Sequence, residues 1–281
     1  MTSERHVERA GAEPVGELYR IQHPTLRVVL GDLTIPSGDP GPGDMVPTFD
    51  LPTTDGGRID NEELRRDGRP MLLVFGSLTC PVTESAGDGL RELHTRYGDR
   101  VRFVLVNMRE AHPGAAPPQP GTFAEKFEHA LALREHHRLP FEVAVDDIDG
   151  ALHRQFGPRP SSAYIVAPSG EILFRAHWSN VTDAIDGALA AVTAGTTPSR
   201  PDVAHTARAM ATMTGHADTA FAAAGRGAWS DTWKAAPPFA AMIGVSRLFG
   251  FLRPSRRGLP TMVTMAAIVT AVVVAVVMLI V

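Results

Sequence analysis

The strongest constraint on the fold is an alternation, between residues 71 and 194, of short apolar runs with longer segments of helical spacing. MLLVFGS (71–77) is apolar at odd and even positions alike, which suits a central strand covered on both faces. PVTESAGDGLRELHTRYG (81–98) follows, with Leu90, Leu93 and Tyr97 at i, i+3 and i+7 of a helix. VRFVLVNM (101–108), TFAEKFEHALALREHH (122–137) and FEVAVDD (141–147) continue as strand, helix and strand, and DGALHRQFG adds a short helix. AYIVAPSGEILFRA (163–176) reads as two strands about a Pro-Ser-Gly turn, and VTDAIDGALAAVTA (181–194) closes as an amphipathic helix.

A βαβαβ run followed by a hairpin and a helix is the order of a thioredoxin-like α/β fold. The preceding residues 44–70 contain an Asp-Gly-Gly turn and a short helical stretch, expected as the N-terminal extension of peroxiredoxin-type members. The domain is therefore expected over 44–194. Hydrophobic residues are 44% of the chain and charged residues 21%, enough to bury a core. The formal net charge of -4 lacks the basic face that nucleic acid requires, so no nucleic-acid partner is expected.

The flanks differ in character. Residues 1–43 form a polar segment ending in PSGDPGPGD, within which LRVVLGDLTI (26–35) is a candidate edge strand. The charged start lacks the apolar centre of a signal peptide, which predicts a cytoplasmic domain. Residues 195–257 are expected as an alanine-rich helical linker broken at Pro237 and Pro238. Residues 258–281 contain TMVTMAAIVTAVVVAVVMLIV, with no charge, proline or glycine in that stretch, and about 20 such residues span a bilayer. Arg247, Arg253, Arg256 and Arg257 precede it, so a C-terminal tail anchor with the domain facing the cytoplasm is expected.

The chemistry centres on the only cysteine. FGSLTCPVT puts Cys80 after a strand and before Pro81, a residue favoured at the first helical position. Unpaired amides and the positive end of the helix dipole are expected to favour the thiolate, the reactive form. Thr83 stands where a Cys-x-x-Cys pair would need its second sulfur, so an internal disulfide is excluded. One-cysteine chemistry remains: oxidation at Cys80, then recovery by an external thiol. Thr79 and Thr83 offer hydroxyls to the sulfur or serve as helix caps. Pro160, just before the hairpin, is a candidate wall of the site, with a cis or a trans peptide bond both open. His136 and His137, near a helix end, are expected as surface partners of the dipole. Scattered histidines and one cysteine give no zinc spacing, so no metal is expected.

GSLTCPVT after one strand and NMREAHPG at the end of the next resemble the iodothyronine deiodinase family. There the first motif reads Gly-Ser-x-Thr-selenocysteine-Pro, and a Glu-Ala-His follows the second strand. The likeness extends through VAVDDIDGALHRQFG and AYIVAPSGEILF, over about residues 44–178. It implies that Cys80 occupies the selenocysteine position and that Glu110 and His112 are the acid and histidine of the site. His112 would then protonate a leaving group or stabilise the thiolate, with Glu110 orienting it. The peroxiredoxin loop Pro-x-x-x-Thr-x-x-Cys is absent, since Ser77 lies three before Cys80. The expectation is a membrane-tethered, single-cysteine thiol oxidoreductase with no bound cofactor. Its partners would be a membrane, a small halogenated compound, peroxide or disulfide, and a thiol reductant, either a thioredoxin-like protein or a low-molecular-weight thiol. The alternative is a noncatalytic redox sensor or interaction module that forms mixed disulfides through Cys80.

Overall fold

The computed structural model describes residues 19–280. The charged residues 1–18 of the N-terminal segment, and Val281 of the expected span, lie outside the described residues. A six-stranded sheet is built from β3 (Met71–Gly76), β4 (Arg102–Asn107), β5 (Glu142–Val145), β6 (Ala163–Val166), β7 (Ile172–Ala176) and β8 (Asp202–Val203), in the order β5-β4-β3-β6-β7-β8. The pairs β3–β4 and β4–β5 are parallel, and β3–β6 and β6–β7 are antiparallel. β1 (Asp50–Pro52) and β2 (Arg58–Asp60) form a hairpin that precedes a short helix, α2 (Asn61–Asp67), in the extension ahead of β3.

β3 is buried along its whole length because both faces carry core. Leu72 and Val74 join one cluster, with α3 (Pro81–Tyr97), α4 (Phe123–His137) and α6 (Thr182–Thr193). Met71, Leu73 and Phe75 join the other, with the β1–β2 hairpin, α2 and α5 (Ala151–Gln155). This two-sided covering explains why the strand is a continuous apolar run rather than an alternating one. α4 starts from a capping box in which Thr122 accepts from the Glu125 amide and Glu125 reaches back.

Residues 26–35 are not an edge strand. Leu26–Asp32 is a helix, α1, and the place beside β7 is filled by the parallel β8. α1 lies instead across an apolar surface and is pinned by polar contacts. His177 Nε2 lies 2.7 Å from the Asp32 carbonyl, Arg159 Nε donates to the Thr34 carbonyl at 2.6 Å, and Arg159 pairs with Asp39 at 2.8 Å. Beyond the domain, α7 (Thr206–Thr214) and α8 (Ala217–Ala224) pack on α3, α10 (Pro237–Ser246) reaches the core through Phe239, and α9 (Ala228–Ala235) packs on α1, α8 and α10. Asn180 Nδ2 donates to the Ala209 carbonyl at 2.9 Å and Trp178 Nε1 to Thr206 Oγ1 at 3.2 Å, which ties α7 down. The Pro-Pro step opens α10, where a missing amide costs nothing. The last helix, α11 (Pro254–Ile280), is long and apolar enough to cross a membrane.

Candidate active site

Two loops leave the carboxyl ends of parallel β3 and β4, where sites form in such sheets. The β3 loop brings Cys80 to the N-cap of α3, in extended conformation, with Pro81 at the first helical position. The β4 loop carries Glu110 and His112. Ser77 Oγ accepts from the Ala111 amide at 3.2 Å, and the Met108 amide donates to the Gly76 carbonyl at 3.1 Å, so the loops are stitched together.

Thr79 is the knot between them. Its hydroxyl donates to Glu110 Oε2 at 2.7 Å and accepts from the His112 amide at 3.1 Å, while its own amide donates to the same carboxylate oxygen at 3.0 Å. The other carboxylate oxygen lies 3.1 Å from His129 Nδ1 on α4. Glu110 therefore orients the loop ahead of Cys80 rather than the His112 ring. It is fully buried, so the Glu-Ala-His loop is part of the packed interior rather than a solvated turn. Gln119 holds the Glu110 backbone at both ends, accepting from its amide at 3.0 Å and donating to its carbonyl at 2.6 Å. Neither His129 nor Gln119 was signalled by a motif; both come from segments that a local reading treats as helix surface and proline-rich loop. Thr83 turns back to the β3 loop, accepting from the Ser77 amide at 3.3 Å.

Cys80 and His112 open on one cavity of about 430 Å³. Pro160 and Trp178 wall it from the domain, and α1, α7, α9 and α10 roof it through Val29, Met210, Ala235 and Phe239. Met262 of α11 also reaches it. The Arg159–Pro160 bond is trans; among the described residues the cis bond is Ala116–Pro117. The lining is apolar apart from Cys80, His112, Asp32 and Thr232.

This setting reverses the expected electrostatics of the thiol. Cys80 is 2% exposed, and burial pushes its pKa up from the usual thiol value. The amides of Val82 and Thr83 and the Thr83 hydroxyl pull the other way, while the Asp32 charge adds to the rise. Desolvation outweighs the helix N-terminus because the sulfur faces hydrocarbon rather than water. His112 packs edge-on to Phe221 at 5.4 Å between ring centroids, and burial together with the nearby Arg109 charge holds its pKa down at about 4. Its ring is neutral near pH 7. Asp32 is held up at about 6, by burial first, with Arg109 and Arg159 opposing. An acid with that value, lining the same cavity as the thiol, is poised for proton exchange near neutral pH. Asp32 escaped the sequence reading because only the folding of α1 over the site brings it there. His137, expected at the surface, is buried against α3, and His153 is a core histidine between Tyr19 Oη at 2.8 Å and the Arg159 carbonyl at 2.7 Å.

Residues 42–175 match the model of the AhpC/TSA family, although Ser77 replaces the loop threonine of peroxiredoxins. Type II iodothyronine deiodinase of Neoceratodus forsteri is 31% identical over 103 residues, covering 32% of this chain and 38% of that protein. The enzyme of the same name from Fundulus heteroclitus is 29% identical over 116 residues, covering 36% and 44%. The chain thus spans less than half the length of these curated relatives. Similar solved structures include peroxidoxin BcpB from Mycobacterium tuberculosis, 17% identical with a TM-score of 0.40, covering 53% of this chain and 94% of that one. A putative thiol:disulfide interchange protein DsbE from Chlorobium tepidum is 18% identical with a TM-score of 0.38, covering 48% and 83%. Residues 42–175 carry a thioredoxin-like α/β fold and are similar to the AhpC/TSA family and, over a shorter stretch, to the iodothyronine deiodinases.

Proposed function

We propose that this protein is a membrane-tethered thiol oxidoreductase in which Cys80 reduces a small substrate with an apolar body. Oxidoreductase chemistry through a thiol is the activity of the redoxin family; the observation that carries the finer reading is the single thiol of the chain opening on an apolar cavity with few polar groups. The Asp32 carboxylate takes the thiol proton, and the thiolate attacks a halogen, a peroxide oxygen or a disulfide sulfur. A bond from Cys80 sulfur to that atom forms, and the bond to the leaving group breaks with its electron pair. The leaving group takes a proton, and the sulfur is oxidised by two electrons. Two equivalents of an external thiol return Cys80 to the thiol, leaving as a disulfide. No bound cofactor is required. His112, neutral in this setting, supports the leaving group through its ring N–H.

The roof favours a low-molecular-weight thiol over a thioredoxin-like protein as reductant, since a protein sulfur reaches Cys80 only when a roofing helix moves. α11 is the anchor, and the arginines before it put the domain on the cytoplasmic side. Protease added to sealed cells leaves the domain intact on this orientation and digests it on the opposite one.

The covered, protonated sulfur favours a second reading, a redox sensor that reacts once and signals by mixed disulfide. Turnover separates the two. The full chain in detergent or nanodiscs is supplied with dithiothreitol and, in turn, an aryl iodide, cumene hydroperoxide and an aromatic disulfide. Multiple turnovers of one of them, abolished in Cys80→Ser, are expected; a single stoichiometric reaction with all three would leave the sensor.

A further inference from the structure

Outside the cavity lining, where α3 meets the end of α4, lies a cluster that the redox chemistry does not use. Glu84, in the first turn of α3, meets His136 and His137 at the end of α4, and the ligand atoms of the three lie within 4.8 Å of one another. His136 Nε2 is 2.8 Å from Glu84 Oε2, and His137 Nε2 is 3.9 Å from the same oxygen. His137 is only 4% exposed, yet its Nε2 has no hydrogen-bond partner among the described residues. A buried nitrogen left unpaired and aimed at a carboxylate is costly unless a third body sits between them.

We infer that Glu84, His136 and His137 form a binding site for a borderline divalent cation of the Zn2+ class. Two imidazoles and one carboxylate are a known donor set for such ions, which hold nitrogen at about 2.0–2.1 Å and carboxylate oxygen at about 2.0–2.2 Å. Tetrahedral ligands at those lengths stand roughly 3.3 Å apart. The cluster reaches that spacing if the 2.8 Å His136–Glu84 contact opens by about half an ångström and the 3.9 Å His137–Glu84 separation closes by about as much. Water would complete the fourth position. Asp88 adds negative charge on the same side, and Arg91, whose Nη1 donates to the His137 carbonyl at 2.6 Å, opposes it. Gly87 belongs to the design, since a Cβ there would stand 2.9 Å from His137 Nδ1 and displace the ring. A bound ion would clasp the first turn of α3, and with it the N-cap sulfur four residues earlier, to the end of α4.

The test uses the tag-free full chain in detergent carrying Cys80→Ser, so that binding through sulfur is removed. Zn2+ is titrated against a chromogenic chelator, and Co2+ is added separately to read its coordination from visible absorption. One Zn2+ per chain is expected, with an intense Co2+ band of tetrahedral type. Affinity should fall at least tenfold, on the order expected for loss of metal-site support, in Glu84→Gln and in His136→Gln. His136 is partly exposed and its substitution leaves the core intact. Absence of stoichiometric Zn2+ binding, or binding unchanged in either variant, overturns the site.

Discussion

At the residue scale, one sulfur is governed by competing environments. The N-cap position favours the thiolate, but the apolar cavity and the Asp32 charge favour the thiol, and burial wins. The rate of Cys80 alkylation against pH in the full chain should therefore have its midpoint above that of a free cysteine, about 8.5. Asp32→Asn removes a negative charge facing the sulfur, so the midpoint should fall; an unchanged or rising midpoint would show that Asp32 does not act on the thiol. Glu110 is the other decisive residue. Its carboxylate satisfies the Thr79 amide and hydroxyl and meets His129, all away from water. Glu110→Ala should cost about 2–4 kcal/mol in unfolding free energy, because several buried donors lose their acceptor at once. Glu110→Gln keeps one carbonyl oxygen for Thr79 and should cost less than half as much by the same denaturation measurement.

At the element scale, α11 does more than supply a helix long and apolar enough to cross a membrane. Its first turns press on α7 so closely that a Cβ on Gly258 would stand 2.1 Å from the Ala211 carbonyl oxygen, and one on Gly215 would stand 2.0 Å from the Pro254 carbonyl oxygen. α7 is also a roof of the cavity. Gly258→Val should thus separate α7 from α11 and speed Cys80 alkylation at fixed pH, while Gly187→Ala, with open space around its Cβ on α6, should leave the rate unchanged. Equal rates in both variants would mean that the roof opens independently of α11. The 195–257 segment is helical, as its alanine-rich composition predicts, and its small side chains allow the helices to approach one another and the domain closely. Ala209, Ala217, Ala220, Ala224 and Ala240 are all buried.

At the scale of the whole molecule, stability should depend on pH through buried neutral histidines. Burial lowers His153 from 6.5 to about 3 and His112 from 6.5 to about 4, so the unfolded chain binds more protons than the folded one between those values and about 6.5. Folding stability should rise with pH across that window and be fully present above it. Asp32 acts with the opposite sign, being raised from 3.8 to about 6, but its shift is smaller than the two histidine shifts together. The denaturation midpoint should be lower at pH 5 than at pH 7.5, and the difference should shrink in His153→Gln. A midpoint equal at the two pH values would remove the histidines as the source.

The sequence by itself determined the elements whose cause is local. Strand runs, the Pro81 helix start, the capping box at Thr122 and the apolar span of α11 are written in neighbouring residues, and so is the pairing of Cys80 with the Glu110–His112 loop through two consecutive parallel strands. Tertiary structure alone decided what surrounds the sulfur. Asp32, His129 and the helices after residue 205 reach the site from segments far along the chain, and no spacing rule encodes such meetings. The helix at 26–32 shows the physical reason. Its apolar residues suit an edge strand or a helix equally well, and the outcome turned on the cavity available to cover and on the sheet edge already occupied by β8. The charge state of Cys80 followed from the same cause, because a helix terminus acts locally while desolvation is set by everything packed around it.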